Sequence, residues 1–212
     1  MLSLWAITLR AVKYARDMGR WPPDAGERLR AAAIELFLEQ GFAATTVPDI
    51  AKRAGLTTRS FFRYYADKRE VLFVGEEELP NVVAQVFASA DSALAPLDVV
   101  RYGIVTVLGP RLEPLRGELG SLMQIISTDE GLQERHLRKM SILQAAATAA
   151  FRERGLVPLE AEVAGRLATS VYDMTLAQWL GSQDRTFLEV STQVLDTFPA
   201  VIGSAHCPPC GV

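Results

Sequence analysis

Hydroxyl, guanidinium and aromatic side chains are concentrated in one short stretch of the sequence. Its polar and aromatic members are Thr57, Thr58, Arg59, Ser60, Phe62, Arg63, Tyr64 and Lys68. Serine and threonine hydroxyls both donate and accept hydrogen bonds, and arginine presents a fixed fork of N–H donors. Near the start of a helix, such groups suit both phosphate oxygens and the edges of bases. The stretch is therefore a candidate surface for binding double-stranded DNA.

A helix over this stretch would have two faces. Phe61 and Tyr65, together with Leu56, are expected to point into a small core, which leaves the polar side chains outside. Phe62 and Tyr64 could belong to either face, since packing in the core is the usual place for an aromatic residue and contact with DNA is the alternative.

Two short helices joined by a tight turn would position this surface. Thr46 is suited to cap one helix that has Pro48 in its first turn, and Thr57 is suited to cap the next. A longer helix is expected before them, from Asp24 to Gln40, and residues 54–57 form the turn. The pattern predicts a helix-turn-helix. Ala66-Asp67-Lys68 is expected to begin a fourth helix whose positive end, with Lys68, could hold a phosphate.

Two segments of this region match a known pattern in order and spacing. They are RLRAAAIELFLEQGF at 28–42 and TTVPDIAKRAGLTTRSFFRYYADKREVLF at 45–73, which span about a fifth of the chain. This arrangement resembles the TetR family of bacterial transcriptional regulators. The resemblance implies a homodimer, a near-palindromic operator and a small-molecule inducer held in a C-terminal helical domain.

The resemblance also implies roles for individual residues. It assigns phosphate contacts to Thr46 and Lys68 and recognition-helix contacts to Thr57, Thr58, Arg59, Ser60 and Arg63. Two positions depart from the family pattern. Phe62 stands where a tyrosine most often reaches a phosphate, and Arg59 stands where glycine or proline is common, which favours an additional DNA contact.

The rest of the chain also has the pattern of helices, because apolar residues recur three and four apart and glycine or proline separates about nine segments. The predicted fold class is all-α. We expect a three-helix helix-turn-helix domain at 22–66 and a larger helical ligand-binding and dimerisation domain at 67–203. These would be flanked by an extension at 1–21 and a tail at 204–212.

Composition and charge agree with a DNA-binding module on a carrier domain. Hydrophobic residues make up 49% of the chain, which is enough to bury a core and excludes general disorder. Residues 1–75 contain 12 Lys and Arg against 8 Asp and Glu, whereas residues 76–212 contain 10 against 17. A basic first third favours a polyanionic partner. No apolar run has the length of a membrane span, so a cytoplasmic protein without a membrane partner is expected.

The two ends of the chain allow alternative interpretations. Arg10, Lys13, Arg16 and Arg20 would lie on roughly one side of an extra helix that could reach DNA phosphates, but Met18 could instead be the true start. The cysteines Cys207 and Cys210 favour a flexible tail with free thiols over a zinc or redox site, because other ligands are scarce.

Small and soft residues in the second half favour a ligand pocket. The candidate lining residues are Tyr102, Met123, Met140, Tyr172, Asp173 and Trp179, with alanines at 145–147 nearby. Such a lining suits a hydrophobic, neutral or weakly charged molecule. The alternative is that the alanines only let helices pack closely.

The last two helices are more apolar than a monomer needs, at Leu159–Leu180 and Phe187–Ile202. They predict an intermolecular four-helix bundle, with Gly165 at a close crossing.

Motifs for catalysis are absent from the sequence. It contains no G-x-S-x-G, no H-E-x-x-H and no glycine-rich phosphate loop, and only two histidines. The predicted function is a ligand-responsive repressor without catalytic residues, metal or cofactor. The alternatives are a structural or interaction protein that uses the helix-turn-helix only for packing, and a helical-bundle enzyme.

Overall fold

The computed structural model describes residues 25–203, in which the regular elements are all helical and no strand occurs. Its helices are α1 (Ala25–Gln40), α2 (Val47–Arg53), α3 (Thr58–Tyr64), α4 (Leu79–Ser89), α5 (Pro96–Arg101), α6 (Gly109–Leu112), α7 (Arg116–Ser127), α8 (Glu130–Glu153), α9 (Pro158–Gly181) and α10 (Phe187–Gly203). Helical turns of other types cover Glu70–Leu72, Glu76–Glu78, Tyr102–Leu108 and Glu113–Leu115. The predicted all-α class is confirmed. The N-terminal extension, the Asp24 cap and the cysteine tail lie outside the described residues.

Helix α1 forms because its apolar residues recur at helical spacing. Leu29, Ala33, Leu36 and Phe37 lie on one face and are all buried. The helix ends at Gln40, and Gly41 after it has a φ of +88°, a left-handed backbone that glycine adopts at little cost. The predicted end of the first helix is therefore correct.

The helix-turn-helix belongs to a compact unit that is wider than residues 22–66. The described residues up to Val82 pack with Leu115–Leu143. Phe37 of α1 and Phe61 of α3 share one core with Leu132 of α8. The recognition region is therefore supported by a segment that follows it in the sequence by more than forty residues.

The segment after α3 differs from the prediction. No α-helix begins at Ala66-Asp67-Lys68; a short 3-10 turn covers Glu70–Leu72, and the next α-helix begins at Leu79. The Asp67 carboxylate accepts hydrogen bonds from the backbone N–H groups of Arg69 and Glu70, at 2.7 and 3.0 Å, and so holds a turn. The predicted start of a fourth helix at residue 66 was wrong, since the chain passes through two short 3-10 turns before the next α-helix.

A second compact unit contains Val83–Pro114 and the described residues from Gln144 onward. Edge-to-face aromatic pairs help to fill its core, and one of them joins Trp179 of α9 to Phe187 of α10 with 5.3 Å between ring centroids. Among the described residues, no helix is both long and apolar enough to cross a membrane.

Helices α8 and α9 approach closely in this unit at Gly165. A Cβ atom placed on Gly165 would lie 2.2 Å from Thr148 Oγ1. The glycine that was expected to permit a close crossing with a second copy therefore permits one within the chain.

Candidate nucleic-acid interface

Both short helices of the helix-turn-helix begin at the predicted threonine caps. The Thr46 hydroxyl accepts from Asp49 N–H at 3.3 Å, and the Asp49 carboxylate accepts from Thr46 N–H at 3.1 Å, which completes a capping box. The Thr46 hydroxyl also donates to the Asp49 carboxylate, and this bond, followed by the one from Thr46 N–H, lowers the pKa of Asp49. Thr57 accepts from Ser60 N–H at 3.1 Å at the start of α3. The two predicted caps are confirmed.

The inner face of α3 fixes the helix in the core. Phe61 is fully buried and lies 5.5 Å from the ring of Tyr65. The Tyr65 hydroxyl donates to the carbonyl of Gly26 at 2.9 Å, which links the end of α3 to the start of α1. The predicted inward orientation of Phe61 and Tyr65 is confirmed.

The outer face of α3 forms a shallow groove. Its volume is about 570 Å³, and its lining residues are Thr57, Arg59, Ser60, Phe62 and Arg63. Thr58, also on α3, is half-buried. Groups that can donate to phosphates and bases therefore lie together along one exposed side of a helix.

The two aromatic residues of ambiguous role are exposed. Phe62 has 55% of its surface exposed and Tyr64 has 41%, so neither is a core residue. The guanidinium of Arg63 donates to the Tyr64 hydroxyl at 2.7 Å and lies 4.8 Å from the ring centroid. This pairing pre-orders Arg63 on the same surface as the groove.

Lys68 is turned inward. Its ammonium Nζ donates to the carbonyls of Phe42 and Thr45 at 2.6 and 2.9 Å, with Ala43 O at 3.4 Å, and lies 4.3 Å from the centroid of the Phe42 ring. Burial lowers the pKa of Lys68. All three ammonium donors thus face the loop between α1 and α2, and the phosphate contact assigned to Lys68 stays a prediction.

Two arginines that the sequence analysis did not single out also hold this region together. The Arg28 guanidinium donates to the carbonyl of Ala54, the first residue of the turn. Arg53 forms a two-pronged ion pair with Glu39, at 2.9 and 2.7 Å, that ties α2 to α1. Their partners are 26 and 14 residues away, so local sequence patterns could not reveal them.

The six predicted ligand-binding residues divide between the two units. Met123 and Met140 belong to the first unit, and the other four, Tyr102, Tyr172, Asp173 and Trp179, belong to the second. Met123 packs against the helix-turn-helix core and Trp179 is fully buried against Phe187. Both therefore have packing roles, and their assignment to a ligand site stays a prediction.

Burial and exposure also distinguish the remaining ligand candidates. Asp173 is exposed, whereas Tyr172 is half-buried, and burial followed by the charge of Asp173 raises the pKa of Tyr172 to about 12. Ala145, one of the predicted alanines, lines a cavity of about 420 Å³ in the second unit, together with Thr148, Ala149 and Glu162.

Comparison with known proteins agrees with the geometry of the helix-turn-helix. Residues 29–73 match the family model described as bacterial regulatory proteins, tetR family. The regulator TcmR of Streptomyces glaucescens is 26% identical over 151 residues, which cover 69% of this chain and 67% of TcmR. The regulator HbdR of Aromatoleum sp. (strain CIB) is 34% identical over 61 residues, about a quarter of each chain.

A solved structure shares the fold over most of the chain. The complex of SmeT with triclosan superposes with a TM-score of 0.63 at 18% identity, and the match covers 84% of this chain and 91% of that one. At this identity the likeness concerns the fold alone.

Proposed function

We propose that this chain, whose residues 29–73 match the tetR family model and which is similar to the regulator TcmR over 69% of its length, is a ligand-responsive repressor of that family. It binds a palindromic operator as a homodimer, and binding of a small hydrophobic molecule weakens the complex. The ligand binds more tightly to the conformation in which the recognition helices are misplaced for DNA. The loss of DNA affinity therefore cannot exceed the ratio of the ligand's affinities for the two conformations.

The observation that carries the proposal is the divided helix α3. Its inner face is locked in the core through Phe61, and its outer face presents Arg59 and Arg63 beside the hydroxyl of Ser60. A helix held rigidly with donors on its outer side can enter the major groove of DNA. Arg59 is the residue we assign to a base, since it is exposed and its fork matches the O6 and N7 acceptors of guanine.

The ligand class rests on the composition of the second unit and on a relative. Tyr102, Tyr172 and Trp179 are aromatic residues of that unit, and no cluster of Arg and Lys lies beside them in the sequence to hold an anion. SmeT, which shares the fold, was solved with triclosan. We assign a hydrophobic, neutral or weakly charged effector to the second unit.

The proposal is tested by titrating the full chain against a labelled DNA fragment from upstream of its own gene, at several salt concentrations. Arg59→Ala should weaken binding by about 1–3 kcal/mol and relax preference at one base pair per half-site. Arg152→Ala is the matched control, because Arg152 is an exposed arginine of the second unit, and it should bind normally.

Two results would contradict the proposal. Binding that does not distinguish the upstream fragment from unrelated DNA would favour a protein that uses the helix-turn-helix only for packing. Uniform weakening by Arg59→Ala on all sequences would instead move Arg59 from the bases to the phosphate backbone.

A further inference from the structure

A fully buried hydroxyl group in the second unit has no hydrogen-bond partner. It belongs to Thr175 of α9, which is 0% exposed, and its Oγ1 atom meets no donor or acceptor among the described residues. Threonine hydroxyls in a helix usually bond to a carbonyl one turn earlier. Thr169 of the same helix does so, with the carbonyl of Gly165 at 3.0 Å. The Thr175 hydroxyl is therefore not turned toward its own backbone but toward the interior of the unit.

Such a hydroxyl makes the folded chain less stable, because it has lost its hydrogen bonds to water and gained none in the protein. Valine has nearly the same shape and would avoid this loss. Folded proteins leave few buried polar groups unpaired, and the exceptions concentrate at functional sites. The hydroxyl of Thr175 is therefore a candidate anchor for a bound molecule.

A second unpartnered atom belongs to the same unit. The side chain of Gln85 on α4 has a buried Oε1 atom that accepts no hydrogen bond in the described part of the chain. A carbonyl oxygen can only accept, whereas a hydroxyl can both donate and accept. A molecule that satisfies both Gln85 and Thr175 must therefore carry an O–H or N–H group.

An unusual helical segment packs beside Gln85. Tyr102–Leu108 is a π-helix, a rare form that is often found at functional sites. A Cβ atom placed on Gly103, near the start of this segment, would lie 3.1 Å from Cγ1 of Val86, the residue after Gln85. The π-helix and α4 therefore touch where Gln85 is located.

The other end of the π-helix leads to the surroundings of Thr175. A Cβ atom placed on Gly109, the residue after the π-helix, would lie 3.2 Å from the ring of Phe187. That ring packs edge to face on Trp179, which follows Thr175 by one helical turn. Both unpartnered oxygens therefore belong to helices that pack around the two ends of the same segment.

We propose that the Thr175 hydroxyl anchors the effector in the second unit, with Gln85 Oε1 as a second acceptor, and that the effector is a neutral, largely apolar molecule with an O–H donor. This inference rests on the ligand-responsive function proposed above and narrows its effector class to hydrogen-bond donors. Val171 and Trp179, one turn before and after Thr175, are fully buried apolar neighbours that suit the apolar part of such a molecule.

A stability measurement tests the unpaired hydroxyl without any ligand. Thr175→Val removes the hydroxyl at nearly constant shape, and it should raise the melting temperature of the full chain by about 2–4 °C. Thr169→Val is the matched control, because it is the same change on the same helix at a hydroxyl that is already bonded, and it should not raise the melting temperature. A lower melting temperature for Thr175→Val would show that the hydroxyl has a partner within the protein and would overturn the proposal.

A series of related compounds tests the anchor. The probe is 2-naphthol, which is apolar, uncharged at neutral pH and carries one O–H donor. Calorimetric titration of the full chain should give saturable binding of 2-naphthol, at least tenfold tighter than that of naphthalene or 2-methoxynaphthalene. Thr175→Val should weaken 2-naphthol binding at least tenfold and leave naphthalene binding unchanged, whereas Thr169→Val should change neither. Absence of saturable 2-naphthol binding, equal binding of the three compounds or equal effects of the two variants would overturn the proposal.

Titration with the labelled upstream DNA fragment separates this inference from the proposed function. If 2-naphthol binds through Thr175 but DNA stays bound, the anchor stands and the ligand-responsive function fails. If another compound releases DNA equally well from the wild type and from Thr175→Val, the function stands and the anchor fails.

Discussion

At the scale of single residues, Lys68 links two segments of the first unit by hydrogen bonds. Its ammonium joins the end of the recognition segment to the loop between α1 and α2 through the carbonyls of Phe42 and Thr45. These carbonyls come just before the Thr46 cap, so the hydrogen bonds of Lys68 hold the chain where α2 begins. Hydrogen bonds from a charged donor contribute about 1.5–3 kcal/mol each.

We therefore predict that Lys68→Met lowers the free energy of unfolding by about 2 kcal/mol, the value of one charge-assisted bond. Urea unfolding measures the loss, and Lys52→Met, at an exposed lysine of α2, should leave stability unchanged within about 0.5 kcal/mol. The salt dependence of DNA binding should keep its slope. A slope flatter by about one unit with unchanged stability would show that Lys68 contacts a phosphate instead.

Titration of Tyr172 should make the free energy of unfolding depend on pH in the alkaline range. Burial raises the pKa of Tyr172 to about 12 in the folded chain, whereas an unfolded tyrosine has a pKa of about 10. Above pH ~10 the unfolded chain loses this proton before the folded chain does, so the free energy of unfolding falls as pH rises from about 10 to 12. Tyr172→Phe should show a smaller drop in melting temperature over that interval. Identical drops in both proteins would mean that Tyr172 titrates normally.

At the scale of elements, the sequence predicts best those helix boundaries that depend on side chains close by in the chain. The starts of α2 and α3 could be predicted because Thr46 and Thr57 satisfy backbone donors only three residues away. The break between α3 and α4 could not be predicted in the same way. There the Asp67 carboxylate holds a turn through the backbone N–H groups of Arg69 and Glu70, and Gly75, whose φ is +85°, makes a second break before α4.

The contacts that complete the site are long-range. Arg28 and Lys68 donate to carbonyls 26 residues away on the chain. No pattern of residue spacing predicts such a pair. The groove residues on α3 were predictable from their types, but the inward orientation of Lys68 depends on carbonyls of the distant loop between α1 and α2.

The crossing of α8 and α9 provides a sharp test of packing. Gly165→Ala would place a methyl group 2.2 Å from Thr148 Oγ1 and 2.9 Å from its backbone nitrogen, so the helices must move apart. We predict a loss of about 1–3 kcal/mol in thermal or urea unfolding, as for other overpacked sites. Gly120→Ala in α7 is the control, since no atom lies within 4 Å of its new Cβ. It should stabilise the chain by up to about 1 kcal/mol through helix propensity.

At the scale of the whole molecule, exposed apolar side chains on the last two helices indicate self-association. Leu159 and Val163 of α9 are 73% and 59% exposed, and Leu188 of α10 is 55% exposed. A two-fold partner would cover these side chains, which remain in water in a single chain.

We predict that the wild type sediments as a dimer at micromolar concentration and that Val163→Glu combined with Leu188→Glu converts it to a monomer. Both positions are exposed in the isolated chain, so the monomer should stay folded. Leu137→Glu is the control, because Leu137 is 68% exposed on α8 in the first unit, and it should remain dimeric. A monomeric wild type would also remove the argument for a palindromic operator.

The core of the first unit is built from two segments that are far apart in the sequence, and this affects how it folds during synthesis. Leu132 of α8 and Ile126 of α7 complete the core around Phe61, yet they leave the ribosome after α4 to α6. At about 5–20 residues per second this delay lasts several seconds. We therefore expect that a nascent chain stalled before α7 carries an unsupported recognition helix and is cleaved rapidly by protease. Only a chain synthesised past α8 could then compete for an operator.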